Sequence, residues 1–125
     1  LATSSAASDV YKRQKKGFNL LKNIKVGKWP YSAVHDKKNN NLYITNQRDD
    51  SISIINMDKR ENVKTLVDVC EYPEGIDISY TQNLIVVACW FEDNIILINL
   101  NDFSLKKKIE TSGGPRAFGR FIIKK

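Results

Sequence analysis

Short apolar runs alternate with polar turns along the chain at a spacing of roughly ten residues. The segments "NLYITN" (41–46) and "SISIIN" (51–56) place apolar and polar side chains in alternation, and helical periodicity is weak throughout. The breaks that follow them, "QRDD" and "MDKREN", are rich in Asn and Asp, which favour turns. The pattern therefore predicts an all-β protein made of short antiparallel strands.

The strand-like runs recur in units of just over forty residues. Pro30, Pro73 and Pro115 lie 43 and 42 residues apart, and a strand-like run opens ten residues before each of them. "NLYITN" corresponds to "NLIVVAC" (83–89), and "SISIIN" corresponds to "NIILIN" (94–99). Four β-rich segments per unit at this period indicate the blades of a β-propeller. We predict complete blades over about 31–67 and 74–110, an outer strand of a preceding blade over 18–26, and the start of a third blade over 116–123.

Each proline is predicted to mark the crossover from the outermost strand of one blade to the innermost strand of the next. Proline fixes its own φ and disfavours helical conformations in the residue before it, so we expect Trp29 and Tyr72 to be extended. The position directly after the proline changes its chemistry from unit to unit: it is Tyr31, then Glu74, then Arg116.

Several motifs in register resemble the YVTN-type β-propeller repeat family. "LYITN" (42–46) differs from the name motif of that family by one conservative change, while "DSISIIN", "YPEGIDIS" and "GGPRAFGRFI" are similar to its later strands, crossover and C-terminal end. The second unit departs from the motif with "LIVVAC". The resemblance implies a bacterial, seven-bladed ring located in the periplasm or at the cell surface, in a family whose members often lack known catalytic activity.

The first fourteen residues are excluded from the predicted propeller, which covers 15–125. "SSAASDVYKRQ" (4–14) resembles the translation of a transposase-based sequencing adapter, and the alternative is a disordered leader rich in Ser and Ala. On this interpretation the chain is the C-terminal part of a longer propeller, and a signal peptide would lie upstream.

The formal net charge of +6 is spread over the chain, with short lysine runs at 15–16, 37–38, 106–108 and 124–125. Binding of nucleic acid requires basic residues on one face beside stacking aromatic side chains. Lysines on strand edges instead discourage unwanted strand pairing, so a nucleic-acid partner is not favoured. Because no apolar run approaches the roughly 18 residues of a membrane span, no membrane insertion is predicted.

The candidate binding residues lie in loops at one face of the predicted propeller. The loops between the second and third strands cover 47–50 and 90–93, and they lie near the crossovers around the channel. Loops on a rigid scaffold often carry binding residues, and aromatic and arginine side chains are frequent anchors. A small molecule or a protein is the expected partner. The predicted rim site consists of Tyr31, Arg48, Glu74, Trp90, Phe91 and Arg116.

Structural roles compete with this interpretation. Trp29 and Tyr72 would then pack on the neighbouring blade, and Trp90 and Phe91 would cover the top edge of a blade. The three residues after the prolines would be exposed crossover residues without a ligand. The sequence leaves these alternatives open.

Catalytic and metal-binding patterns are sparse. His35 is the only histidine, and only the adjacent Asp36 offers it a carboxylate by spacing. His35, Cys70 and Cys89 share no ligand spacing, so we predict neither a metal nor a cofactor. Four acidic residues recur at turn positions in both units: Asp49, Asp50, Glu92 and Asp93. Aspartate is expected there for turn geometry, and calcium binding is the alternative role.

The two cysteines leave a further question open. Cys70 is predicted to end an outer strand and Cys89 a second strand, on the same face of adjacent blades. An oxidising compartment would allow a disulfide, but cross-blade Cα distances often exceed the reach of that bond.

The sequence favours a non-catalytic binding or scaffold propeller of the cell envelope. One alternative is a hydrolase similar to lactonase-type propellers, which requires acid, base or metal groups converging on the channel. Another is a propeller that accompanies a haem or quinone domain as a redox partner. A fold alone does not decide between these functions.

Overall fold

The computed structural model describes residues 17–123, so the adapter-like segment 1–14 lies outside the described residues. Within 17–123 the regular elements are eight strands, and none of these residues is helical. No segment of this part of the chain forms a helix able to cross a membrane. The strands are β1 (Pro30–Asp36), β2 (Asn41–Asn46), β3 (Ser51–Asn56), β4 (Glu61–Leu66), β5 (Pro73–Ser79), β6 (Leu84–Cys89), β7 (Asn94–Asn99) and β8 (Leu105–Glu110).

The strands form two four-stranded antiparallel sheets with the orders β1-β2-β3-β4 and β5-β6-β7-β8. We call them blade 1 and blade 2. Within each sheet, neighbours in sequence pair with each other, and Leu42 pairs with Ile55 as Ile85 pairs with Ile98. The predicted all-β fold with two complete four-stranded units is confirmed.

The turns repeat in detail between the two blades. The amide of Met57 donates to the carbonyl of Asn40 at 3.0 Å, and the amide of Leu100 donates to the carbonyl of Asn83 at 3.0 Å. Asn40 and Asn83 have φ values of 51° and 58°. Asparagine tolerates this left-handed conformation better than most residues, which explains its place in both turns.

The hydrophobic core lies where the two blades face each other. Alternation along β7 buries every second side chain, as the sequence pattern predicts. β5 is instead buried at nearly every position, because β1 packs on one side of it and the segment after Pro115 lies on the other. The buried cluster includes Tyr43, Ile52, Ile54, Ile76, Ile78, Ile85, Val87, Ile96 and Ile98.

The flanking segments 18–26 and 116–123 were predicted as strands, but the structure contains no strand in either. A strand is defined by a hydrogen-bonded neighbour, and neither segment has one within residues 17–123. The C-terminal segment is held by side chains instead. The carboxylate of the buried Asp77 accepts hydrogen bonds from the amides of Phe121 at 2.9 Å and Ile122 at 2.8 Å, and it pairs with Arg120.

Gly75 allows this segment to lie close to β5. A Cβ atom at position 75 would lie 2.5 Å from the carbonyl oxygen of Ala117 and 2.6 Å from its Cβ. Real Cβ atoms almost never come so near, so a side chain at position 75 would push the segment away from the strand.

We expect Gly75→Ala to displace the C-terminal segment and to lower the free energy of unfolding by about 1–3 kcal/mol, the usual cost of overpacking. Urea denaturation measures the change. Ser32→Ala is the matched control at the equivalent position of blade 1, where a group is removed and none is added. Equal stability of Gly75→Ala and the wild-type chain would show that the close approach of Ala117 to position 75 does not contribute to stability.

The charge of Asp77 should make the attachment sensitive to acid. Burial alone would raise the pKa of Asp77, but hydrogen bonds from the amides of Ile122, Ile78 and Phe121 and the charge of Arg120 lower it below the usual 3.8. Because the pKa is lower in the folded state, the stabilisation is complete above about pH 4 and is lost as the pH falls through the folded-state pKa.

Amide hydrogen exchange tests this pH dependence. After correction for the intrinsic exchange rate, Phe121 and Ile122 should be protected at pH 6 and lose protection as the pH is lowered below about 4. In Asp77→Asn, both amides should exchange faster than in the wild-type chain already at pH 6. Unchanged protection in acid would mean that the ionised carboxylate does not hold the segment.

Candidate functional site

The crossover into each blade and the loop between its second and third strands meet at one end of the sheet. The amide of Gln47 donates to the carbonyl of Trp29 at 2.9 Å, and the amide of Trp90 donates to that of Tyr72 at 3.1 Å. Trp29 and Tyr72 both have φ of 53°. The expectation that these pre-proline residues are extended is therefore wrong. They adopt a left-handed turn, in which the crossover is hydrogen-bonded to the loop.

Acidic side chains fasten the entry of each crossover. Asp49 accepts from the amide of Lys28 at 2.7 Å in blade 1, and Glu92 accepts from the amide of Glu71 at 3.0 Å in blade 2. Burial tends to raise the pKa of Glu92, but the bonds from Asn94 and Glu71 and the charge of Lys108 lower it overall.

Asp50 connects blade 1 to the next crossover. Its carboxylate accepts from the amide of Tyr72 at 3.0 Å, and its carbonyl accepts from the amide of Val69 at 2.9 Å. The carbonyl of Asp93 accepts from Thr111 at 2.8 Å in the same way. These recurring acidic residues thus hold crossovers in place. Among residues 17–123 no group of three or more His, Cys, Asp or Glu side chains is arranged to hold a metal.

Aromatic side chains cover this end of blade 2. The ring of Phe91 is stacked on Tyr72 with centroids 4.1 Å apart, and Trp90 contacts both rings at 4.6 and 6.0 Å. In blade 1 the guanidinium of Arg48 lies 3.9 Å from the ring centroid of Trp29. Arg48 thus covers the ring of Trp29 in blade 1, and Phe91 covers the ring of Tyr72 at the equivalent positions in blade 2. We call the set Trp29, Arg48, Tyr72, Trp90 and Phe91 the rim cluster.

Three other predicted residues form a network at the start of the inner strands. Arg116 donates from Nε to Glu74 at 2.8 Å and from Nη2 to the other carboxylate oxygen at 3.0 Å, and Nη2 also reaches the hydroxyl of Tyr31 at 3.2 Å. The side chain of Glu74 is fully buried and also accepts from Gln47 at 2.7 Å. Hydrogen bonds to the carboxylate raise the pKa of Arg116 above its usual value.

The network and the rim cluster touch each other. The guanidinium of Arg116 lies 4.4 Å from the ring centroid of Trp90, and a Cβ atom at Gly114 would lie 2.4 Å from Cδ1 of the same indole. The structure therefore brings Tyr31, Glu74, Arg116, Trp90 and Phe91 together, while Arg48 lies at the equivalent place in blade 1. Sequence reasoning did not place Gln47 in this network, although its position next to Arg48 in the loop was a usable signal.

His35 does not pair with Asp36. His35 is exposed, and its Nε2 lies 2.9 Å from the amide oxygen of Asn40. Asp36 is buried and accepts from the hydroxyls of Tyr43 at 2.8 Å and Tyr80 at 3.1 Å. Burial tends to raise the pKa of Asp36, but hydrogen bonds from Asn39 and the two tyrosines hold it below its usual value. This polar cluster, which sequence reasoning missed, links the two blades.

Cys70 and Cys89 form a disulfide with their Cα atoms 5.9 Å apart. The outer strand β4 ends at Leu66, so Cys70 lies in the crossover and not at the end of an outer strand as predicted. The crossover carries Cys70 to the end of β6, where Cys89 is the last residue. The disulfide therefore joins the crossover to the end of β6. The Cα–Cα distance that left the pairing open in the sequence analysis is short enough for the bond.

Loss of this disulfide should destabilise the chain. It closes a loop with a sequence separation of 19 residues. The chain-entropy model gives a contribution of about 3 kcal/mol for a loop of this size. Denaturant unfolding of the wild-type chain and of Cys70→Ser/Cys89→Ser measures the difference. A change well below 1 kcal/mol would contradict the expected constraint on the unfolded state.

Comparisons with known proteins identify the architecture. No family model matches the chain, and no curated protein matches it. The β-propeller domain of Cps50 (Swd1) from Myceliophteria thermophila superposes with a TM-score of 0.65 at 16% identity, over 77% of this chain and 30% of that one. The chain is a β-propeller fragment.

Two further solved structures are similar to this fragment. Apo AztD from Citrobacter koseri gives a TM-score of 0.64 at 21% identity, over 74% of this chain and 26% of that one. Kuenenia stuttgartiensis hydrazine synthase gives 0.71 at 25% identity, over 81% of this chain and 29% of that one. The chain spans less than a third of each of these three proteins, and the likeness concerns the fold.

Proposed function

We propose that the chain belongs to a non-catalytic β-propeller protein of the cell envelope that binds its ligand, a small molecule or a protein, at the rim. The predicted residues Tyr31, Arg48, Glu74, Trp90, Phe91 and Arg116 form or support this site. The "LYITN" motif and the crossovers support membership of the YVTN-type repeat family. A disulfide is typical of an oxidising compartment, which supports an envelope location.

The observation that carries the proposal is the conformation of an exposed aromatic residue. Trp29 has φ of 53° and remains 58% exposed. A bulky residue in the left-handed region costs about 1–2 kcal/mol. The hydrogen bond from Gln47 holds Trp29 in this turn, and residues held in sparsely populated backbone conformations cluster at binding sites. Phe91 is 52% exposed at the equivalent end of blade 2, so the rim cluster presents two partly exposed aromatic side chains.

Tryptophan fluorescence is a direct test, because Trp29 and Trp90 are the only two tryptophans in the chain and both belong to the rim cluster. We expect a saturable change in emission when the wild-type chain is titrated with a member of a panel of sugars, amino acids, nucleotides, quinones and short peptides. Arg48→Ala should weaken that binding at least tenfold, about 1.4 kcal/mol, because the guanidinium that covers Trp29 is lost.

Lys106→Ala is the matched control, since Lys106 is an exposed cation on the outer strand β8. This variant should bind like the wild-type chain. Equal weakening by both variants would indicate a nonspecific charge effect, and the absence of any saturable change across the panel would count against the rim as a binding site.

A lactonase-like hydrolase is less well supported by the geometry. Glu74 is the buried carboxylate nearest the rim cluster, but Arg116 and Gln47 occupy both of its oxygens. A general base needs a free lone pair directed at the substrate. Turnover of a lactone that is lost in Glu74→Gln would favour the hydrolase over the binding protein.

A second candidate function is a propeller attached to an enzyme assembly, as a partner of a haem or quinone domain. The likeness to part of a hydrazine synthase, at a TM-score of 0.71, favours attachment to an enzyme and says nothing of its cofactor. A CxxCH haem-attachment motif in the reading frame upstream of the propeller would support this candidate.

A further inference from the structure

In the two blades, different residues connect the crossover to the end of the second strand. Cys70 lies 43 positions after Gly27, and Cys89 lies 43 positions after Asn46. In blade 2 the two positions are joined by a disulfide. In blade 1 they are in close contact, because a Cβ atom at Gly27 would lie 2.7 Å from Cγ of Asn46. In both blades the crossover is therefore fastened to the end of the second strand.

Residues of the rim cluster follow this joint directly in the chain. Trp90 comes one residue after Cys89, and Tyr72 comes two residues after Cys70. The carbonyl of Tyr72 accepts from the amide of Trp90, so the disulfide and this hydrogen bond close a small rigid frame. The stacked rings of Tyr72 and Phe91 and the indole of Trp90 project from that frame.

The joint of blade 1 has polar support that blade 2 lacks. Asn46 donates from Nδ2 to the hydroxyls of Ser51 at 3.0 Å and Ser53 at 2.9 Å. In blade 2 the corresponding positions are Asn94 and Ile96; the side chain of Asn94 donates to Glu92, and that of Ile96 has no polar group to offer residue 89. A free cysteine pair at this place would keep few of the contacts that fasten blade 1.

We propose that the Cys70–Cys89 disulfide positions the aromatic side chains of the rim cluster in blade 2, in the role that the Gly27–Asn46 contact has in blade 1. This makes the two cysteines positioning residues for the binding site proposed above, and in that respect the inference rests on the proposed function. Both sulfurs are buried, at 4% and 0% residue exposure, so they act through the frame and do not touch a ligand.

Two single-tryptophan chains test the inference without a ligand. Trp29→Phe leaves Trp90 as the reporter next to the disulfide, and Trp90→Phe leaves Trp29 as the matched reporter of blade 1. Each chain is compared before and after treatment with dithiothreitol. The disulfide takes up two electrons and two protons to give two thiols, while the dithiol closes to its own cyclic disulfide. Thiol counting confirms two free thiols per chain.

We expect reduction to shift the emission of Trp90 to longer wavelength and to raise its quenching by acrylamide about twofold, at a temperature where far-UV circular dichroism is unchanged. The emission of Trp29 should not change. A reduced chain that keeps the oxidised signature of Trp90 would overturn the proposal. An equal response of both reporters would overturn it too, because it would indicate general loosening of the fold.

Replacement by the residues of blade 1 gives a second, independent measurement. In the Trp29→Phe chain, Cys70→Gly/Cys89→Asn/Asn94→Ser should retain more of the oxidised Trp90 signature than Cys70→Ser/Cys89→Ser, because the close contact of blade 1 and one hydroxyl partner of its asparagine are recreated. A Ser/Ser variant that retains the full signature and only unfolds at a lower temperature would assign the bond a purely structural role. None of these readouts uses a ligand, so a failure of the binding titration leaves them unaffected.

Discussion

The hydrogen bond from the loop amide to the pre-proline carbonyl is the constraint on which the rim depends. It occurs between Gln47 and Trp29 and again between Trp90 and Tyr72. It forms where the chain leaves one sheet and enters the next, a place where backbone groups would otherwise lack partners. Because the bond requires a left-handed turn before the proline, it fixes the direction of the residue at that position and of the loop residue that covers it.

Successive units are joined by side chains as much as by packed strands. Asp50 holds the crossover into blade 2, and Asp36 binds a tyrosine from each blade. Glu74 and Asp77 on β5 hold Arg116 and the amides after it. The carboxylates of Asp36, Glu74 and Asp77 are buried and need several donors to offset their desolvation, and each of these three has them. The same contacts bring residues of three consecutive units to one network.

The regular part of this arrangement was predictable and the irregular part was not. The 43-residue period and the alternation in segments such as 51–56 follow from local side-chain pattern, so the eight strands could be inferred. The φ of 53° at Trp29 and Tyr72 follows from a hydrogen bond to a loop residue eighteen positions away, which overrides the usual preference before proline. The Cys70–Cys89 bond was left open because Cys70 was assigned to the end of an outer strand, and cross-blade Cα distances often exceed the reach of a disulfide.

The third unit lacks the left-handed residue that precedes the other two prolines. Gly114 precedes Pro115 where Trp29 and Tyr72 precede the other prolines, but Gly114 does not have a positive φ. An aromatic residue is strained in the left-handed region, whereas glycine is not. Among the described residues, the ring of Tyr72 packs on Phe91 and Trp90, and the ring of Trp29 is covered by the guanidinium of Arg48. The strained aromatic residue therefore occurs at the two crossovers whose pre-proline carbonyl accepts a hydrogen bond from the loop of the same blade.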